Sequence, residues 1–160
     1  MARAPLLQIS DIALTFGGDP VFEDLSLIVQ PGDRVALVGR NGSGKSTLMK
    51  VMAGLVQADT GARVAAPGVR VGYMEQDPSM AGCATLGDYA ASGLDDAEAY
   101  KVEMVAEGLK FDPAGDVNTA SGGERRRAAL AKLMAEAPEL MLLDEPTNHL
   151  VIVAFAWLEI

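Results

Sequence analysis

A glycine-rich segment between an apolar run and a helical pattern constrains the fold of this chain more than any other feature. The segment is Gly39-Arg40-Asn41-Gly42-Ser43-Gly44-Lys45-Ser46, which fits the pattern G-x-x-x-x-G-K-S. It follows the apolar run 35–38, typical of a strand buried on both faces, and precedes apolar residues at helical spacing over 45–54. Glycines let successive backbone N–H groups point at one anion, and the helix adds its positive end. The segment therefore predicts a phosphate-binding loop.

This loop also carries side chains suited to ATP and magnesium. In this pattern Lys45 reaches the β- and γ-phosphates, and the Ser46 hydroxyl ligates Mg²⁺. The alternative is an ordinary glycine-rich turn between a strand and a helix. The nucleotide-binding residues predicted here are Gly39, Asn41, Gly42, Ser43, Gly44, Lys45, Ser46 and Thr47.

A second apolar strand ends in two carboxylates. Leu140-Met141-Leu142-Leu143 is followed directly by Asp144 and Glu145. The carboxyl end of a buried parallel strand is where α/β sheets place their ligands. We expect Asp144 to hold Mg²⁺ and Glu145 to polarise an attacking water. Capping of the next element is the alternative for this pair.

Composition limits the classes of partner. The 160 residues carry 13 basic and 22 acidic side chains, so the net charge is 13 − 22 = −9, which argues against a wide basic surface for nucleic acid. The single cysteine suits a reducing compartment. Neither a signal-peptide pattern nor an apolar run near the ~20 residues of a membrane helix is found. We therefore expect a cytoplasmic protein without direct membrane insertion.

The pattern of apolar residues predicts an α/β fold with two parts. Strands are expected at 6–16, 21–29, 35–38, near 63–64, at 69–74 and at 140–143, and helices at 45–54, within 86–109 and at 121–136. Strands that alternate with helices indicate a mostly parallel sheet. The nucleotide-binding core is expected to comprise 1–80 and 137–160, and the shift to Ala, Glu and Asp predicts a helical lobe over 81–136.

Ser121-Gly122-Gly123-Glu124 opens the last predicted helix. Ser and Glu at this spacing form an ordinary capping box, which is one interpretation. A helix N-terminus with two glycines is also an anion site, which is the other.

The order of these motifs resembles that of ATP-binding cassette domains. Their order is the phosphate loop, a lone glutamine at Gln76, the Ser121–Glu124 motif, and the Asp144–Glu145 strand. The resemblance implies a P-loop NTPase core, with a mostly parallel sheet and an antiparallel β portion, plus a small helical lobe. It also implies that the residues 121–124 bind the γ-phosphate held by the opposite domain of a head-to-tail pair.

Two further roles come from the resemblance alone. Gln76 would contact magnesium and link to the helical lobe, and Phe16 would stack on adenine. The alternatives are a solvated loop glutamine and a core phenylalanine. Catalysis would then rest on Glu145, Gln76 and Lys45, with Ser46, Gln76 and Asp144 at the metal.

The residues after Glu145, Pro146-Thr147-Asn148-His149-Leu150, look like those of the F subfamily. That resemblance implies a soluble tandem-cassette protein that acts as an ATP-driven switch on the ribosome. The partners implied are a second cassette, in the same full-length chain or in a head-to-tail homodimer, and the ribosome. The ATPase subunit of a membrane transporter is the alternative, and a nucleic-acid repair cassette is a third.

The chain departs from the family pattern at three places. Position 120 is Ala rather than Leu, and position 151 is Val where the family has an aspartate. Family members also continue to a switch histidine, whereas the only histidine here is His149. We therefore expect a truncated N-terminal cassette that lacks its C-terminal strands, binds ATP and hydrolyses it very slowly.

Overall fold

The computed structural model describes residues 3–38, 44–75, 77–144 and, for the backbone alone, 149–154. The chain divides into two compact units, residues 1–73 with 138–160 and residues 74–137. The strands are β1 (Leu7–Phe16), β2 (Asp19–Val29), β3 (Arg34–Val38), β4 (Thr60–Ala65), β5 (Val71–Met74), β6 (Leu140–Asp144) and β7 (His149–Ala154). The α-helices are α1 (Lys45–Ala53), α2 (Leu86–Ala91), α3 (Tyr100–Leu109) and α4 (Gly122–Glu136). In the described residues no helix has the length and apolar character needed to span a membrane.

The first unit contains an antiparallel sheet in the order β2-β1-β4. The predicted turn after β1 is confirmed, because Gly17 and Gly18 both adopt left-handed backbone angles and join β1 to β2. Alternate residues of β1 are buried, including Leu7 and Ile9. This alternation places one face of the sheet on the core.

A second sheet has the order β3-β7-β6-β5. β7 pairs antiparallel with both β3 and β6, so β3 and β6 run in the same direction on either side of it. These two antiparallel pairings differ from the mostly parallel sheet that the sequence predicts. Residues 151–153, Val-Ile-Val, are β-branched and therefore favour a strand, at the position where the family pattern has an aspartate.

The apolar run 35–38 is not buried on both faces, so that expectation was wrong. Val35 and Leu37 pack against the core, but Ala36 is exposed and Val38 is 75% exposed. β3 lies at the end of the sheet order and the core covers one of its faces. Its apolar composition therefore reflects strand propensity rather than complete burial.

The core of the first unit joins α1 to strands of both sheets. Leu48, Met49, Val51 and Met52 of α1 are buried with residues of β1 and β6. The helix ends at Gly54, which has the left-handed conformation common after a helix C-terminus. The helix predicted over 45–54 is confirmed, and its apolar face holds it against β6.

The second unit is helical. The helical pattern over 86–109 resolves into α2 and α3, with a short 3₁₀ turn at Asp96–Glu98 between them. Its core includes Leu86, Val102 and Phe111, packed with alanines of α4. Capping boxes open both α2 and α4, at Thr85 and Ser121. Small side chains on α4 let the helices pack closely.

One ion pair ties the start of β6 to the segment before β5. Glu139 accepts hydrogen bonds from the backbone N–H of Arg70 at 2.7 Å and from its guanidinium at 3.1 Å. Burial alone would raise the pKa of Glu139, but the hydrogen bonds from Arg70 outweigh it and hold the pKa below its ordinary value of 4.5. Because the pKa of Glu139 is lower in the folded chain, the ion pair stabilises the fold at pH values above 4.5. This stabilisation is lost as the pH falls through the pKa of the folded state.

We predict that Glu139→Gln lowers the free energy of unfolding by about 1 kcal/mol at pH 7, a figure discounted for the exposure of Arg70. The difference from wild type should shrink as the pH falls below 4.5, because protonated Glu139 also loses its charge. Urea unfolding at several pH values measures the difference in free energy of unfolding and its dependence on pH. Glu103→Gln, on an exposed helix face, is the control and should stay within about 0.5 kcal/mol of wild type. A pH-independent difference would contradict the role of the charge.

Candidate functional site

The start of α1 is a glycine whose backbone conformation and surroundings both disfavour a side chain. Gly44 is the N-cap of α1, with φ 87° and ψ 11°. That left-handed conformation disfavours side chains, and a Cβ here would also collide with the side chain of Val21. Gly44 accepts the first helical hydrogen bond from Leu48 at 2.9 Å. The close approach of β2 thus fixes where α1 begins.

The first turn of α1 contains no acidic residue, unlike the first turns of α2 and α4. The N-cap of α1 has no side-chain hydrogen bond. α2 and α4 differ, because Asp88 and Glu124 cap their first turns. The first N–H groups of a helix lack partners within it, and they sum to a partial positive charge. Lys45, exposed Ser46 and Thr47 occupy this turn, which suits an anion.

Asp144 lies at the carboxyl end of β6 and is 5% exposed. It is the one charged or polar residue that is buried among those whose burial is described. The Tyr73 hydroxyl donates a long hydrogen bond to Oδ2, at 3.4 Å. A buried carboxylate with so weak a partner is costly, and a cation offsets that cost. The donor chemistry at Asp144 therefore fits magnesium.

Asp144 and Ser46 offer oxygen ligands, which are the kind that magnesium prefers. Mg²⁺ in nucleotide sites takes one or two protein ligands and completes its shell with phosphates and waters. Ser46 on α1 and Asp144 on β6 belong to two elements that pack together, so the fold brings these two predicted ligands into one unit.

Tyr73 is a site residue that sequence reasoning missed. It lies on β5, half-buried, and its hydroxyl reaches Asp144 across the sheet. No motif marks it, because the contact depends on β5 lying next to β6. A polar-tipped aromatic residue in the predicted strand 69–74 was the only available signal.

Phe16 ends β1 and is 56% exposed. The alternative of a core phenylalanine is therefore wrong. An exposed ring beside a hairpin turn offers a face for stacking. Its contact with adenine stays a prediction.

The motif Ser121–Glu124 forms a capping box, as one interpretation predicted. Glu124 accepts from the Ser121 N–H at 2.8 Å, and Ser121 Oγ accepts from the Glu124 N–H at 3.2 Å. The backbone hydrogen bond from Ser121, followed by that from its side chain, holds the pKa of Glu124 below its ordinary value. The motif belongs to the second unit, whereas α1 belongs to the first.

The two glycines of this motif are not needed by the fold around them. A Cβ at Gly122 or Gly123 would meet no atom within 4 Å, and neither residue has a left-handed φ. Glycine in a helix costs roughly 0.5–1 kcal/mol relative to alanine. These positions therefore leave bare backbone facing open space, which suits close approach by another molecule.

Three predicted parts of the site lie outside the described residues. They are Gly39–Ser43 of the loop, Gln76 and Glu145. Their roles stay predictions.

Comparison with known proteins places these features in a family. The sequence profile of the ABC transporter family matches residues 22–148. The ATP-binding protein Uup of Caulobacter vibrioides is 47% identical over 159 residues, which cover 99% of this chain and 26% of that protein. The energy-dependent translational throttle protein EttA of Mycobacterium tuberculosis is 32% identical, covering 89% of this chain and 33% of its own length. The zinc import ATP-binding protein ZnuC of Pseudomonas fluorescens is 37% identical, with coverages of 89% and 56%.

Solved structures agree on the fold. A metal-chelate type ABC transporter in an inward-facing conformation has a TM-score of 0.75 at 22% identity, covering 90% of this chain and 62% of that one. The ATP-binding subunit of another ABC transporter has a TM-score of 0.73 at 25% identity, with coverages of 89% and 67%. The expected α/β fold of a P-loop NTPase is confirmed, and so is the resemblance to an ATP-binding cassette of the F type. The chain spans about a quarter of Uup and a third of EttA.

We predict that Tyr73→Phe weakens binding of ATP about three- to tenfold when Mg²⁺ is present, because Asp144 loses the donor that orients it. Without Mg²⁺ the two proteins should bind ATP equally. Isothermal titration calorimetry with and without EDTA measures this. Tyr100→Phe, an exposed tyrosine in the second unit, is the matched control. Equal affinity of Tyr73→Phe and wild type with Mg²⁺ would exclude a positioning role for Tyr73.

Proposed function

Because the chain belongs to the ATP-binding cassette family, we propose that it binds ATP with Mg²⁺ through Gly39–Thr47 and Asp144. The observation that carries the proposal is the start of α1, where Gly44 opens a helix whose N-terminus has no acidic residue and no side-chain cap. Such a helix end attracts a phosphate group through its N–H groups and its partial charge. Buried Asp144 supplies the carboxylate for the metal on an element packed against α1.

The residues of the site take separate roles in this proposal. Lys45 binds the β- and γ-phosphates as a point charge, and Ser46 and Asp144 hold the metal. Magnesium, when bound, supplies positive charge that balances the phosphate oxygens. Glu145 orients the attacking water, Gln76 contacts the metal ion, and Phe16 stacks on adenine. Phosphoryl transfer needs this positioning more than it needs covalent chemistry.

A second cassette completes the site. The open backbone at Gly122 and Gly123 supports this, since nothing in the surrounding fold requires glycine there. In the proposal, residues 121–124 of one cassette contact the γ-phosphate bound to another. The chain by itself therefore binds ATP but hydrolyses it slowly, because the donors that stabilise the transferring group come from the partner.

We propose further that the cassette belongs to an ATP-driven switch that acts on the ribosome in the cytoplasm. The similarity to EttA, whose name describes a translational throttle, supports this, as does the higher identity to Uup than to ZnuC. The similarity to ZnuC supports the second candidate, an ATPase subunit of a transporter.

Calorimetry tests nucleotide binding. We expect Lys45→Ala to weaken ATP binding by about 2 kcal/mol, roughly thirtyfold in Kd, through loss of a charge-assisted contact. Lys50→Ala removes the same charge from the exposed last turn of the same helix and should leave the Kd within about twofold. Equal affinity of wild type and Lys45→Ala would refute the site.

Ribosome binding is tested with the full-length protein. A Glu145→Gln form binds ATP and hydrolyses it slowly, so we expect it to accumulate on ribosomes in sucrose gradients when ATP is present. Adding Lys45→Ala to this form should release the protein from ribosomes, because ATP binding is then lost. Recovery of Glu145→Gln in a detergent-solubilised membrane complex, with no ribosome peak, would favour the transporter subunit instead.

A further inference from the structure

The outward face of α3 carries two large apolar side chains that the fold does not bury. Tyr100 is 58% exposed and Met104 is 70% exposed. They stand four residues apart, so they lie one above the other on the same side of the helix. The opposite side, with Val102 and Ala106, is buried in the core of the second unit. α3 thus carries apolar side chains on its outward face as well as on the face that packs in the core of this unit.

One turn further along the same face is a glycine without a structural reason. Gly108 is exposed, a Cβ there would meet nothing within 4 Å, and its φ is not left-handed. Gly108 is the next-to-last residue of α3, and glycine has a lower helix propensity than alanine. The missing side chain leaves open space on the side of Met104, where another backbone can approach closely.

Acidic side chains border this face. Glu103 and Glu107 are exposed, stand one turn apart, and form no ion pair with any lysine or arginine that the structure describes. Like charges at this spacing destabilise a helix slightly. The segment 95–107 contains five acidic residues and one lysine, Lys101, which pairs with Glu98 at 2.6 Å. The apolar face therefore lies in a negative field.

We propose that the face formed by Tyr100, Glu103, Met104, Glu107 and Gly108 docks a basic amphipathic helix of another protein. Apolar side chains of that helix would cover Tyr100 and Met104, and its lysines or arginines would pair with the two glutamates. Gly108 would let the two helices cross closely. The negative charge disfavours RNA, whose phosphates it repels. The proposal does not depend on the nucleotide site.

Site-specific crosslinking tests this surface in the full-length protein in cells. Met104 is replaced by the photo-crosslinking amino acid p-benzoylphenylalanine, and crosslinked peptides are identified by mass spectrometry. We expect an adduct to a protein segment with lysines or arginines and apolar residues at helical spacing. The same replacement at Met134, which is 45% exposed on α4 of the same unit, is the matched control and should not give that adduct.

Two variants separate docking from folding. The double variant Glu103→Lys/Glu107→Lys should reduce the adduct at least tenfold by reversing the charge. Gly108→Gln should also reduce the adduct at least tenfold, because its side chain occupies the space that the partner's backbone needs. The helical signal in circular dichroism should not decrease, because Gln has a higher helix propensity than Gly. An adduct to RNA, an adduct to a second copy of this chain, no adduct at all, or an adduct that survives both variants would each overturn the proposal.

Discussion

The packing of α1 against β6 and β1 determines where the chemistry of this chain can take place. Four apolar side chains of α1 are buried in the core that both strands share. Each contributes on the order of 1.5–3 kcal/mol, as an upper estimate. Because the helix is held by this face, its N-terminus has a fixed position, and Gly44 against Val21 permits the turn that leads into it. A positive helix end and a buried carboxylate at the end of β6 thus depend on one hydrophobic contact.

Asp144 shows how the site balances stability against function. Burial of its carboxylate weakens the fold, and the long hydrogen bond from the Tyr73 hydroxyl offsets little of that cost. A cation bound there removes that penalty, so ligand binding and stability are linked. The same balance appears at α4, where Gly122 and Gly123 weaken a helix that the capping box of Ser121 and Glu124 strengthens.

Local patterns predicted the parts of the fold that local forces determine. The helix at α1, the buried strand at β6 and the capping box at Ser121 all follow from residues close in sequence, and all are present. The exposure of Val38 and the position of β7 between β3 and β6 depend on which strands become neighbours, which periodicity does not encode. Tyr73 was missed for the same reason. The family resemblance, rather than spacing, suggested Gln76 and Phe16.

Pulsed electron paramagnetic resonance with Mn²⁺ in place of Mg²⁺ tests whether α1 and Asp144 form one metal–nucleotide site. We expect the chain with ATP to bind Mn²⁺ more tightly than ATP alone binds it, with phosphorus couplings in the spectrum. Asp144→Asn should weaken this binding at least tenfold, whereas Asp95→Asn, an exposed aspartate of the second unit, should not change it. Unchanged Mn²⁺ affinity and unchanged phosphorus couplings in Asp144→Asn would show that Asp144 does not hold the metal.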